Sequence, residues 1–359
     1  MSSPIFFSKL CVCLHPMEKF QLNESVPRVY SIDAPCKINL HLAIGGKRPD
    51  GFHEVLSVFT ALSLVDTLHF ERLARGSADS LEVRWDIGGE GTTPKVDPLF
   101  HTEKNLILQA LALFRRETGF DASFAIRLDK RIPLGAGLGG GSSDAAATLT
   151  ALNLLSGSKL SLCDLQEMAQ VLGSDVPFFI AINANKGEST ALVSGRGETV
   201  EPLAMPQVWV LLVSPPFASA TAEAFALLDE ARASGFSTRK MGMESALSKA
   251  ALIEALAGDP STWNFFNDFL PVFLEFAPRS KESGGEEARM KAETYRTVLQ
   301  SLYGAGALFA GLSGSGSSCF GIFSSKEAAE QAKNALLAAK TAGKVTFVLA
   351  QTAFPVLKY

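Results

Sequence analysis

The sequence predicts a two-domain α+β protein, and three observations carry that expectation. Stretches with apolar residues at helical spacing are interleaved with stretches that alternate like strands. The length, 359 residues with 47% hydrophobic and 19% charged, is long for one core and comfortable for two. The composition also shifts near residue 205, at "EPLAMPQ". The expected division is therefore a disordered extension over 1–27, one domain over 28–205 and another over 206–359.

The elements follow in order. "MSSPIFFSKLCVCLHP" has one Lys, no acid and only a short apolar stretch. A secretory signal wants a longer apolar core, and a transit peptide wants more Arg. "VYSIDAPCKINLHLAIGG" (29–46) reads as two strand-like runs about Asp33-Ala34-Pro35, and 55–73 as strand, turn, strand. A polar stretch over 74–101 contains the strand-like "LEVRW". "NLILQALALFRRETG" has helical spacing and a stop at Gly119. "SFAIRL" (123–128) alternates as a half-buried strand. Helices are expected over 145–155 and, after Ser161, over 162–173. Beyond the boundary, "VWVLLVSP" is a buried strand. Helical stretches are read at 221–233, 245–257 and 265–276, a polar insertion at 277–290 and a helix at 292–306. Strands over 308–313 and 318–323, a helix over 326–343 and a last strand over 344–354 complete the chain.

The chemistry concentrates in "PLGAGLGGGSSDAA" (133–146), with five glycines within seven positions: Gly135, Gly137, Gly139, Gly140 and Gly141. The loop follows a strand and opens a helix, where unpaired N–H groups and the helix dipole favour an anion. Ser142 and Ser143 add hydroxyls at the first turn, so the stretch reads as a phosphate cradle. Gly135, Gly137 and Gly140 satisfy the dinucleotide pattern, but not in a first βαβ unit, and a Walker loop would need a lysine. A second cluster, "GLSGSGSS" (311–318), is either a bulged hairpin or the facing wall of a phosphate-holding cleft. Lys37 and Asn39 leave the same face of a strand, and Asp175 lies in a turn after a helix. Singly, these are ordinary surface and turn residues.

Together, "APCKINLHL", "PLGAGLGGGSSDAA", "LGSDVPFF" and "GLSGSGSS", in this order, resemble the GHMP small-molecule kinases. "RPDGFHEV", "GRGE" and "FNDF" narrow the resemblance to the branch that phosphorylates the 2-hydroxyl of a cytidine diphosphate methylerythritol in non-mevalonate isoprenoid synthesis. It spans about residues 30–355. It implies a ribosomal S5-like N-terminal domain, a ferredoxin-like α/β C-terminal domain and an active site in the cleft between them. It further implies ATP on Pro133, Gly135, Ala136, Gly137, Leu138, Gly139, Gly140, Gly141, Ser142 and Ser143, with Asn105 near the nucleotide and Mg²⁺ held mainly by phosphates. By the same resemblance Asp175 takes the substrate's proton and Lys37 orients it. Asn39, Phe52, His53, Thr221 and Phe225 bind substrate, the two phenylalanines flanking the cytosine. Phe52 stands where several relatives carry Tyr. The spacing from Asp175 to "GRGE" is long, and "SATAEAF" is a loose match.

The same residues bear on other classes. A silent GHMP-fold regulator usually loses Lys37 or Asp175, and both are present. A dinucleotide-dependent reductase wants an early βαβ and a ribose-binding acid. Homoserine or mevalonate-type kinases need no cytosine clamp. A formal charge of −4 gives no global positive field for nucleic acid, and no apolar run approaches the length that spans a membrane. Five cysteines form no CxxC pair, which argues against a disulfide framework or zinc site. The expectation is a cytoplasmic enzyme, with plastid import left open, as a monomer or weak homodimer.

Overall fold

The computed structural model describes residues 29–85, 104–157, 159–184, 188–238, 248–280, 285–339 and 345–352. The expected extension over 1–27 lies outside them. The first half forms one six-stranded sheet. Its strands are β1 (Val29–Lys47), β2 (His53–Arg72), β3 (Ser80–Trp85), β4 (Phe124–Lys130), β5 (Thr190–Gly195) and β6 (Thr199–Leu203). The path is β3-β4-β2-β5-β6, with β1 also paired to β2, and β3 runs parallel to β4.

The expected breaks at 33–35 and within 55–73 are not turns. β1 and β2 are single strands of 19 and 20 residues, and the breaks are irregularities within their antiparallel ladder. Pro35 pairs with Val65 but Cys36 with Leu62, so Ser63 and Leu64 have no partner in β1. The shift re-aims the strand. Before it, Tyr30, Ile32 and Ala34 enter the core under the helices. After it, Cys36, Ile38 and Leu40 enter a second core, toward the other half. Lys37 and Asn39 therefore turn to the helical side, although a strict two-residue alternation would have sent them away. β2 uses its length in two pieces, 55–60 against β5 and 67–72 against β4.

Helices α1 (Leu106–Thr118), α2 (Gly140–Leu155), α3 (Leu162–Leu172) and α4 (Val176–Ala184) contribute to the first core. Asn105 caps α1, accepting from Ile107 N, and Gly119 ends it in the left-handed region. Ser161 and Asp164 form a capping box on α3. α4, a helix the sequence does not announce beyond the turn at Asp175, is almost wholly apolar and buried; Pro177 fits its first turn.

The second half is a four-stranded sheet, β10-β7-β9-β8, of β7 (Trp209–Ser214), β8 (Phe309–Leu312), β9 (Cys319–Phe323) and β10 (Thr346–Gln351). Val210 and Leu212 of β7 face the inter-sheet core, while Leu211 and Val213 face the third core. That third core lies beneath α5 (Thr221–Ala233), α8 (Glu286–Gly304) and α9 (Lys326–Ala338). α6 (Lys249–Ala257) places Leu252 and Leu256 in the inter-sheet core. The expected helix over 265–276 is instead α7 (Phe269–Pro271) running into a π turn, Val272–Phe276, and a 3-10 turn. The expected polar insertion over 277–290 includes the start of α8.

Candidate active site

A cavity of about 960 Å³ opens between the halves. Its walls include Lys37, Asn39, Phe52, His53, Pro133, residues 135–142, Asp175, Arg196, Thr221, Phe225 and Asp229.

The glycine loop joins β4 to α2. Four successive carbonyls in it are engaged from outside. Gly135 O accepts from Ser219 N (2.9 Å), Ala136 O from Ser318 N (3.0 Å), Gly137 O from Ser313 Oγ (2.9 Å) and Leu138 O from Lys37 N (2.9 Å). The N–H groups of Gly135–Gly139 have no partner among the described residues. The loop thus has its acceptors tied into the two halves and its donors available, the polarity an anion requires. The second glycine cluster is the β8–β9 hairpin loop, and it touches the first loop directly. A Cβ on Gly137 would lie 2.2 Å from Ser313 O and 2.7 Å from Gly316 O. Gly137 is therefore a packing requirement, not evidence of a ligand. Gly141 is different: a Cβ there meets only Leu106 Cδ1, at 3.7 Å.

Two assigned residues do not reach the cavity. Asn105 spends its side chain on the α1 cap, and its neighbour Leu106 is the one that lines the cavity. Ser143 is buried in α2, its Oγ without a partner: the first helical turn points it inward while Ser142 stays on the rim.

The polar pair does come together. Lys37, nearly inaccessible, lies 3.4 Å from Asp175 Oδ2. Its Nζ donates to Asn39 Oδ1 (2.6 Å) and sits 4.6 Å from the Phe59 ring centroid. Asn39 donates in turn to Ser57 Oγ (3.0 Å). Asp175 precedes α4 with its side chain partly open to the cavity. The turn carrying it packs under the β5–β6 turn, where a Cβ on Gly197 would strike Ser174 O at 2.4 Å; this is the structural use of "GRGE". "FNDF" is also structural. Asn267 donates to Leu312 O and Gly314 O, bracing the second glycine loop, and Asp268 accepts from Ile44 N of β1.

The other end of the cavity is aromatic. Phe52 is 47% exposed, at the β1–β2 hairpin tip, with the Arg196 guanidinium 5.1 Å from its ring centroid. Phe225, half-buried on α5, stacks on His53 (4.8 Å, 22°) and meets Phe269 edge-on. Thr221 Oγ1 lies 3.1 Å from Ser315 Oγ.

Sequence reasoning missed two features. One is Asp229, 2.7 Å from His53 Nε2 and 3.4 Å from Lys47 Nζ. Burial works against its ionised form, but the hydrogen bonds from His53 and Lys47, with the nearby Lys47 charge, hold its carboxyl below the usual range. The other is a buried ion cluster behind the glycine loop. Lys130 Nζ donates to Asp66 (2.5 Å) and Asp144 (2.7 Å), and Asp66 also accepts from Arg131 N and Ile132 N. Burial pushes the Asp144 carboxyl up against the pull of Lys130. Asp144 stood in the quoted motif, but its partners are remote in sequence. Among the described residues no group of three or more His, Cys, Asp or Glu could hold a metal ion, and no helix is long and apolar enough to cross a membrane.

Comparison with known proteins agrees with this architecture. The model for the GHMP kinases N terminal domain matches residues 105–181, and that for GHMP kinases C terminal matches 274–341. A crystal structure of 4-(cytidine 5'-diphospho)-2C-methyl-D-erythritol kinase superposes with a TM-score of 0.63, covering 90% of this chain and 99% of that one at 28% identity. The chloroplastic 4-diphosphocytidyl-2-C-methyl-D-erythritol kinase of Oryza sativa subsp. japonica is 42% identical over 211 residues, 58% of this chain; the match spans about half, 48%, of that longer protein. The enzyme of the same name from Treponema pallidum subsp. pallidum is 35% identical over 309 residues, 85% of this chain and 94% of that one. With two GHMP models matched in order and a bacterial relative covered almost end to end, the chain belongs to the 4-diphosphocytidyl-2-C-methyl-D-erythritol kinase family of GHMP kinases.

Proposed function

We propose that the protein transfers the γ-phosphoryl group of ATP to the 2-hydroxyl of 4-diphosphocytidyl-2-C-methyl-D-erythritol, a step in isoprenoid precursor synthesis. The observation that carries this reading is the order of groups along one cavity: loop amides without partners, then the Lys37–Asp175 pair at 3.4 Å, then Phe52, His53 and Phe225. Phosphoryl transfer needs alignment and charge neutralisation more than covalent help. The amides of 135–141 and Ser142 would receive the ATP phosphates. Asp175 would accept the hydroxyl proton, and Lys37, held by Asn39, would fix the carboxylate and offset charge at the acceptor oxygen.

Mg²⁺ would arrive on the phosphates of ATP, beside the loop amides and Ser142 on the cavity wall. Bound that way, the ion would supply neutralisation of phosphate charge. Phe52 and Phe225 would flank the cytosine, the first already standing exposed. Phe225 has His53 against its ring, so the base would meet the pair Phe225–His53 and not a bare phenyl face. The division near residue 205 into two domains, and a cytoplasmic location, belong to the same reading. An ADP-release assay with the cytidylyl substrate, homoserine and mevalonate tests the assignment. Turnover of the cytidylyl substrate alone supports it; preference for either of the others, or no turnover of any, overturns it.

A further inference from the structure

The Asp229 carboxylate joins three elements. One oxygen lies 2.7 Å from His53 Nε2, at the start of β2, and the other 3.4 Å from Lys47 Nζ, at the end of β1. Lys47 and His53 are register partners, the last pair of the hairpin whose tip carries Phe52. Asp229 itself belongs to α5, in the second half of the chain. The His53 ring is held by this bond and by its stack on Phe225. Its Nδ1 has no hydrogen-bond partner among the described residues and is not a sealed-off buried atom, and His53 lines the cavity.

An ionised carboxylate only accepts hydrogen bonds, so the contact to Asp229 requires that Nε2 carry the hydrogen. In the neutral ring Nδ1 is then a bare acceptor. Building on the proposed substrate, we infer that Asp229 is a specificity-positioning residue: it fixes His53 in the Nε2–H tautomer, so that Nδ1 presents an acceptor to the exocyclic amine of cytosine and rejects the carbonyl that uracil places there. A uracil carbonyl opposite a bare Nδ1 sets acceptor against acceptor and leaves both without a donor. The same carboxylate fastens the base of the Phe52 hairpin to α5, so ring orientation and hairpin position are set by one group.

The full-length chain tests this with Asp229→Asn, and with Asp229→Glu as the variant that keeps the charge. The probes are 4-diphosphocytidyl-2-C-methyl-D-erythritol and its uridine counterpart. An amide can donate to Nε2 as well as accept from it, so the tautomer is no longer enforced. The expected result in Asp229→Asn is a rise in KM for the cytidylyl substrate of roughly threefold to tenfold, the scale of one neutral hydrogen bond. The cytidylyl-to-uridylyl ratio of kcat/KM falls by about the same factor, with the loss in KM and not in kcat. Asp229→Glu recovers most of the ratio. Independently of turnover, long-range ¹H–¹⁵N spectra of the histidines should show His53 protonated at Nε2 and bare at Nδ1 in the unchanged protein. A His53 protonated at Nδ1, or an Asp229→Asn protein with its base preference intact, overturns the inference. Failure of the unchanged protein to use the cytidylyl substrate counts against the proposed reaction instead, and the spectra then still decide the tautomer.

Discussion

Two glycines of one loop should answer to alanine in opposite ways. Gly137 has φ +74°, and a Cβ on it would sit 2.2 Å from Ser313 O and 2.7 Å from Gly316 O. An L-residue in left-handed backbone costs about 1–2 kcal/mol. Forcing two packed loops apart adds about 1–3 kcal/mol. Gly137→Ala should therefore lose at least about 2 kcal/mol, which for a domain of this size lowers Tm by at least about 5 °C. The carbonyls of Gly135, Ala136 and Gly137 are tied to the second half, so the damage should extend to how the halves meet. Gly141 lies in the first turn of α2 without left-handed backbone, and its Cβ would meet only Leu106, at 3.7 Å. Alanine is the better helix former, by up to about 1 kcal/mol, so Gly141→Ala should hold or raise Tm. If the Gly141 amide lies against phosphate, its new methyl group faces the ligand, and KM for ATP should rise while stability does not fall. Thermal unfolding and steady-state kinetics on the two variants separate packing from binding. A Gly137→Ala protein with unchanged Tm, or a Gly141→Ala protein with unchanged KM for ATP, would refute the division of labour.

Asp175→Asn should lower kcat by roughly 10²- to 10⁴-fold, the usual scale for a general base, with KM values near those of the unchanged protein; retention of half the rate would make Asp175 a turn residue. Phe52→Ala should raise KM for the cytidylyl substrate by about 5- to 150-fold, at 1–3 kcal/mol per base–aromatic stack, without moving Tm, because Phe52 is 47% exposed. Phe225→Ala should raise that KM and lower Tm as well, because Phe225 packs on His53 and Phe269; a KM effect confined to ATP would remove both from the substrate site. Asp79 is partly buried and holds Arg115 through both oxygens while accepting from Phe124 N. Burial opposes its charge, yet these donors hold its carboxyl below the usual carboxylate range. A depressed carboxyl stabilises above its unfolded value and loses that contribution as pH falls through the folded one. The Tm deficit of Asp79→Asn should accordingly be full at neutral pH and shrink below about pH 4; a deficit independent of pH would show that the ion pair contributes nothing.

What the sequence disclosed depended on how local the cause was. The body and end of helix α1 were readable from its apolar spacing and its stop Gly119, but its start was not, because Asn105 read as a nucleotide residue and is instead the cap. The long strands were not, because Asp33-Ala34-Pro35 has turn composition and nothing local says that a partner strand runs past it. α4 escaped notice because a helix buried on every side has no amphipathic period to detect. In the site, Lys37, Asn39 and Asp175 were legible through motif order, and the structure brings the three together. Asp229 and Asp66 were not, since each acquires its role from a residue far along the chain. The glycines misled in part. Five in seven positions invited a single explanation, yet Gly137 answers to the loop of Ser313–Ser318 and Gly140 to Ile132 and Lys130.

The two ends of the cavity are built to different tolerances. Lys37 and Asn39 sit on a strand buried on both faces, and their aim is set by the shift at Pro35–Cys36. Asp175 is braced by α4 and by the turn at Gly197. Displacing any of these means opening a core, and that rigidity would suit the proposed proton acceptor, which must meet one hydroxyl in one geometry. Phe52 rides on an exposed hairpin tip, and Phe225 and Thr221 on α5 of the other half, joined to the hairpin by Asp229 and by Arg232, which donates to Ile44 O and Gly45 O. Phe52 and Thr221 are exposed and can change without opening a core, whereas Phe225 packs on His53 and Phe269 beside the third core. On the proposed reading, recognition of the base would draw on different elements from chemistry at the phosphate. A relative that phosphorylates a different alcohol could keep the strand shift, the loop polarity and the Asp–Lys pair, and alter only the hairpin tip and the first two turns of α5.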